Sequence, residues 1–190
     1  FNISNALAAI GIARTLGLDD AACAHGLASL KRVSGRMEHV GAADVDVVVD
    51  YAHTPDALEH ALRALRETTV HHLAVIFGCG GDRDRGKRPE MGRVAAAIAD
   101  RIYITSDNPR SEDPAAIAKE IEQGIGGHVY AVELDRRVAI ERAIADAHPG
   151  DVVLIAGKGH ENYQIIGERS LPFDDVSVAR TALLRRGTPA

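Results

Sequence analysis

Along most of the chain, short apolar runs alternate with longer stretches of helical periodicity. Val45–Tyr51, Leu73–Phe77, Ile102–Thr105, His128–Val132 and Val152–Ala156 are short, rich in Val and Ile, and bounded by turn residues, which predicts strands. Between them lie helices predicted over Asp56–Glu67, Pro89–Ala99, Pro114–Gln123 and from Asp135 through Ala147. Thr54-Pro55 places a capping hydroxyl before a proline at the first helical position, where its missing N–H is not needed. Strands alternating with helices of this length predict an α/β fold: a Rossmann-like open, mostly parallel sheet with helices on both faces. Tyr163–Ile166 and Ser170–Phe173 flank Gly167-Glu168 and predict a short antiparallel addition. Asp175 is expected to cap a last helix running through Leu184, with Arg185–Ala190 frayed.

The first 33 residues break this alternation. Ser4 can cap a helix through Leu16, with Gly17 as its stop, and a second helix can start at Asp19 and run through Ala21–Leu30. Two alanine-rich helices bury too little to stand alone. They are expected to close a larger domain whose other part precedes residue 1, with the boundary near Val33-Ser34-Gly35.

Composition narrows the function classes. With 46% hydrophobic and 26% charged residues, the 190-residue chain reads as a soluble globular protein. A net charge of -5 gives no basic footprint for nucleic acid or an anionic membrane, and no apolar run approaches a bilayer span. Cys23 and Cys79 are far apart, as free thiols of a reducing compartment would be, and the nine histidines form no HExxH or similar metal spacing.

The chemistry gathers on loops that follow strands. In an open parallel sheet, ligands bind beyond the carboxyl ends of the strands. Four polar loops are expected there: Asp50–Asp56, Gly78–Arg88, Ser106–Arg110 and Gly157–Glu161. Asp107-Asn108-Pro109-Arg110 sets an acceptor, an amide and a guanidinium on one loop, able to grip a zwitterion. Arginine offers bidentate recognition of a carboxylate that lysine cannot copy. The segment Gly78–Arg88 fits neither GxGxxG nor the GK[ST] ending of a P-loop. It reads either as a solvated loop or as an anion contact through Lys87 and Arg88. His53 could serve as a general base or as an orienting group, and Lys158 with Glu161 as a solvated ion pair or as part of the site.

Taken together, Phe1–Ala9, Gly35–Glu38, Asp50–Ala57, Gly78–Met91, Asp107–Arg110 and Gly157–Glu161 resemble the Mur ligases, most closely their diaminopimelate-adding (MurE) type. The resemblance implies three domains: a UDP-binding one, a central ATPase and a Rossmann-like C-terminal one that brings the amino acid. Residues 1–33 would then be the last helices of the central domain, and 34–190 the whole amino-acid-binding domain. The implied activity is an ATP-dependent, Mg2+-requiring amide ligase of peptidoglycan synthesis, a cytoplasmic monomer adding meso-diaminopimelate to UDP-MurNAc-L-Ala-D-Glu. These 190 residues, lacking a P-loop, would bind neither cofactor alone and would contain no catalytic residue. The resemblance places Arg88, Asp107, Asn108, Pro109, Arg110, Gly157 and Glu161 at the diaminopimelate. It brings Asn5, Arg36 and Asp50 towards ATP, with Asn2 a weaker match, and His53 towards the nucleotide-linked peptide. Folylpolyglutamate- or cyanophycin-type ligases of the same superfamily, and a free-standing Rossmann-like binding module, are the alternatives.

Overall fold

Strand residues alternate between two helical layers, and this alternation builds the core. The computed structural model describes residues 2–30, 33–41 and 44–187. It divides into two compact units, one ending at Val33 and the next beginning at Ser34.

In the second unit, strands β1 (Glu38–His39), β2 (Asp46–Asp50), β3 (Leu73–Phe77), β4 (Arg101–Ile104), β5 (Tyr130–Val132) and β6 (Val152–Ala156) form one sheet. Their order is β1-β2-β6-β3-β4-β5, parallel throughout except for the β1–β2 edge pair. Val48, Val75, Phe77, Ile104 and Leu154 face a core shared with α3 (Pro55–Thr68), α4 (Lys87–Ile98) and α5 (Pro114–Ile125). Their neighbours Val47, Val49, Ile76, Tyr103 and Ile155 face the opposite core with α6 (Arg136–Asp146) and α7 (Asp175–Arg186). This period of two, buried on both faces, is what a doubly covered parallel strand requires.

Helix starts follow their capping chemistry. Thr54 accepts from Ala57 N, Asp113 from Ala115 N, and Asp135 from Arg137 N and Val138 N. Two starts differ from the sequence reading. Helix α4 opens at Lys87 rather than Pro89, after Gly86 and without a side-chain cap. For α7 the cap is Asp174, not Asp175, because Asp175 turns inward to a buried pair with Arg136.

The hairpin β7 (Tyr163–Ile166) and β8 (Arg169–Pro172) forms as expected but makes its own two-stranded sheet. The antiparallel edge of the main sheet is β1, whose two residues are too short to show a period.

The first unit contains α1 (Asn2–Thr15) and α2 (Asp20–Ser29). Ser4 lies inside α1 rather than capping it, since nothing before it breaks the helix. Gly17 ends the helix with φ +88°, and Asp19 caps α2 through Ala22 N. Ile3, Leu7, Ile12 and Leu16 are all exposed. Phe1 and residues 188–190 of the expected frayed end lie outside the described residues, as does the side chain of Asn2. Among the described residues, no helix is long and apolar enough to cross a membrane.

Candidate functional site

The loops after β3, β4 and β6 are joined at the carboxyl edge of the sheet by backbone as well as side chains. Gly81 N donates to Asn108 O at 2.9 Å, and Arg110 Nη1 donates to Gly81 O at 2.8 Å. A Cβ on Gly81 would collide with Pro109 O, so only glycine lets the two loops approach this closely. On its other side the β4 loop is pinned by the hairpin. Arg110 N donates to Ile165 O at 3.1 Å, and Gly167 N to Arg110 O at 2.7 Å. Arg110 is thereby held at φ +53°, a left-handed conformation that costs energy for any residue with a Cβ. The hairpin is therefore a clamp on the Asp107–Arg110 loop.

Behind this loop sits a buried polar cluster. Asn108 Nδ2 donates to Glu161 Oε2 at 3.0 Å, while Asn108 Oδ1 accepts from Ile165 N at 2.9 Å and Lys158 Nζ at 3.0 Å. Lys158 also reaches Asp107 Oδ1 at 3.3 Å and Glu161 Oε2 at 3.4 Å. Its side chain is 0% exposed, so the solvated-pair reading of Lys158 and Glu161 is corrected. The cause is position: Lys158 follows by two residues a central strand buried along its whole length. Gln164 Nε2 ties the hairpin to Asp107 O at 2.9 Å. Gly157, at φ +116°, takes a turn that L residues rarely adopt and packs beside the Asp107 carboxylate.

Arg88 is fully buried, and four of its five N–H groups are engaged within the chain. Glu112 takes both terminal nitrogens at 2.8 and 2.9 Å, Glu120 takes Nη1 at 2.8 Å, and Gly80 O accepts from Nη2 at 3.2 Å. Its Nε is buried without a partner. The hydrogen bonds from Arg88, with one from Asp82 N, pull Glu112 down to about 2. Lys87 Nζ donates to His53 O at 2.7 Å, which ties the start of α4 to the loop after β2.

A second group lies nearer β2. Asp50 is buried, which raises its pKa, and its Oδ2 accepts from Met37 N at 2.8 Å. That bond holds the Gly35–Glu38 turn, and Arg36 from this turn lies over the Tyr51 ring, 4.7 Å from its centroid. His53 Nδ1 lies 2.8 Å from Tyr51 O, a carbonyl that can only accept, so Nδ1 carries the proton and Nε2 is left as an acceptor when the ring is neutral. Asn5 is exposed on α1 in the other unit.

The structure thus brings Asp107, Asn108, Pro109, Arg110, Gly157 and Glu161 together, with Arg88 behind the glycine loop. Sequence reasoning left out Glu112, Glu120 and Gln164. Their partners are 24 to 57 residues away, and no local pattern announces them.

Residues 35–159 match the model of the Mur ligase, glutamate ligase domain. The chain belongs to the Mur ligase family. It is 52% identical over 193 residues to the UDP-N-acetylmuramoyl-L-alanyl-D-glutamate--2,6-diaminopimelate ligase of Prochlorococcus marinus (strain MIT 9313), covering 98% of this chain and 38% of that protein. The enzyme of the same name from Synechocystis sp. is 53% identical over 190 residues, with the same coverage. This Mur ligase chain therefore spans about two fifths of the length of the curated relatives it matches. A solved structure of a ligase of that name superposes with a TM-score of 0.78 at 44% identity, over 99% of this chain and 39% of its own. The UDP-N-acetylmuramate-alanine ligase of Thermotoga maritima shares the fold, with a TM-score of 0.66 at 21% identity over 97% of this chain and 37% of its own.

Proposed function

We propose that this chain is the amino-acid-binding part of an ATP-dependent amide ligase that adds meso-diaminopimelate to UDP-MurNAc-L-Ala-D-Glu in the cytoplasm. The observation that carries the reading is Arg110, clamped on both sides of its backbone and placed next to the Asp107, Asn108 and Glu161 cluster. A guanidinium on the same loop as Asp107 and Asn108 complements, with the Asp107 and Glu161 carboxylates, a ligand end that carries both a carboxylate and an ammonium group. Arg110 pairs with the distal carboxylate, and Asp107 and Glu161 accept from the distal ammonium. Asn108, Pro109 and Gly157 shape the wall, and Arg88 steadies the glycine loop from behind through Gly80 O.

In the whole enzyme, ATP with Mg2+ phosphorylates the D-glutamate side-chain carboxylate, the incoming amine attacks and phosphate leaves. Arg36 fits a phosphate contact, being an exposed cation on a turn held by Asp50, and Asn5 and His53 meet the nucleotide and the peptide substrate. The exposed apolar side chains of α1 support placing residues 1–33 in a larger nucleotide-binding domain. These 190 residues contribute positioning, not bond-making, and ligate nothing alone.

The test is calorimetric titration of the chain with meso-diaminopimelate and with L-lysine, which lacks the distal carboxylate. The parent should favour diaminopimelate strongly, since an unmatched polar site can cost discrimination of order 10^4. Arg110→Ala should abolish most of that preference. Equal binding of both ligands by the parent, or a preference for glutamate, would reject the reading.

A further inference from the structure

Lys158 is a buried cation in direct contact with Asp107, Asn108 and Glu161 of the proposed ligand cluster, and nothing in a ligand-contact role requires it. Its ammonium meets one oxygen of each carboxylate, Asp107 Oδ1 at 3.3 Å and Glu161 Oε2 at 3.4 Å, and the Asn108 amide oxygen at 3.0 Å. The Tyr163 ring covers it, with its centroid 5.7 Å from Nζ. A buried ammonium is costly unless paired, and so are two carboxylates set close together without a cation between them. Each group solves the other's problem.

The pairing also divides the acceptors. Oδ1 of Asp107 and Oε2 of Glu161 are taken by Lys158 and Asn108, which leaves Asp107 Oδ2, beside Gly157, and Glu161 Oε1 as the acceptors that these two residues do not use. The amide of Asn108 is fixed in the same way, because its oxygen accepts from both Lys158 and Ile165 N. Two carboxylates and one ammonium carry a net charge of one negative unit, which complements a single incoming ammonium.

We propose that Lys158 is a positioning residue that sets the specificity of this pocket for a ligand bearing a distal ammonium group, by orienting Asp107, Asn108 and Glu161 towards it. This rests on the amino-acid-binding reading above. Without Lys158 the carboxylates repel and turn away, and the loss falls on the ammonium end of the ligand alone.

The discriminating probe is 2-aminopimelate, which has the carbon chain and both carboxylates of diaminopimelate but no distal amine. Titration of the parent chain should show tighter binding of meso-diaminopimelate. In Lys158→Met the ratio of the two affinities should fall by about tenfold or more, the scale of a lost charge-assisted hydrogen bond. A merely structural lysine would weaken both ligands equally, so a ratio unchanged or increased in the variant overturns the inference. Lys158→Gln, which keeps a donor for Asn108 without the charge, gives the same comparison if the methionine variant fails to fold. A parent that does not distinguish the two ligands overturns the binding reading itself, so the two failures are separable.

Discussion

At the scale of single residues, Arg110 and Arg88 show how the same side chain acquires different work from its surroundings. Arg110 spends one terminal nitrogen on Gly81 O and Asn108 O, whereas Arg88 has four donors saturated by Glu112, Glu120 and Gly80 O. Arg110→Lys should therefore lose most ligand selectivity while leaving the unfolding free energy from urea titration within about 0.5 kcal/mol of the parent, as partly exposed side chains allow. Arg88→Ala leaves two glutamates without their cation and should destabilise by about 3 kcal/mol, measured by urea unfolding. Cys79 illustrates burial acting on reactivity. Its thiol, pushed up to about 12 chiefly by burial, packs 3.6 Å from Met91 Sδ. Alkylation at pH 8 followed by mass mapping should leave Cys79 unmodified until denaturant is added.

At the scale of elements, the buried Arg136–Asp175 pair joins α6 and α7 at 2.8 Å and donates on to Ala156 O at 3.0 Å, at the end of β6. It anchors two helices at the strand end where Gly157 and Lys158 begin. Asp175→Ala should cost about 3–5 kcal/mol, because a guanidinium would remain buried and unpaired. A loss below about 1 kcal/mol in a urea titration would show that water reaches the pair. The hairpin acts in the same way on the opposite side of the pocket. It pins Arg110 through two backbone hydrogen bonds and Asn108 through Ile165 N. Its sequence signalled two short strands about a Gly-Glu turn, which form. That it grips the Asp107–Arg110 loop instead of extending the sheet depended on contacts 55 or more residues away.

At the scale of the whole molecule, acid stability carries the imprint of the Arg88 network. Glu112 lies at about 2 in the folded protein, against an ordinary value of 4.5. A depressed carboxyl stabilises the fold above its unfolded value, and that contribution fades as the pH falls from about 4.5 towards 2. Urea midpoints measured across this window should decline, and Glu112→Gln should flatten the decline. The variant should also be less stable at neutral pH, where the parent's carboxylate is charged and paired.

The chain's own pattern was enough to determine the parallel α/β architecture, four of the five parallel strands nearly to the residue, and the edge of the sheet on which the polar loops gather. Those features are written in local periodicity and capping, which each segment satisfies by itself. It also held the family-bearing loops, including Asp107–Arg110 and Gly157–Glu161. Only the tertiary structure decided which charges meet. Lys158 became a buried ammonium because β6 is the sheet's covered centre, Arg88 was claimed by Glu112 and Glu120, and Asp175 left its capping position for Arg136. Ion pairing depends on distance and burial after folding, and neither is encoded in the spacing of residues along the chain.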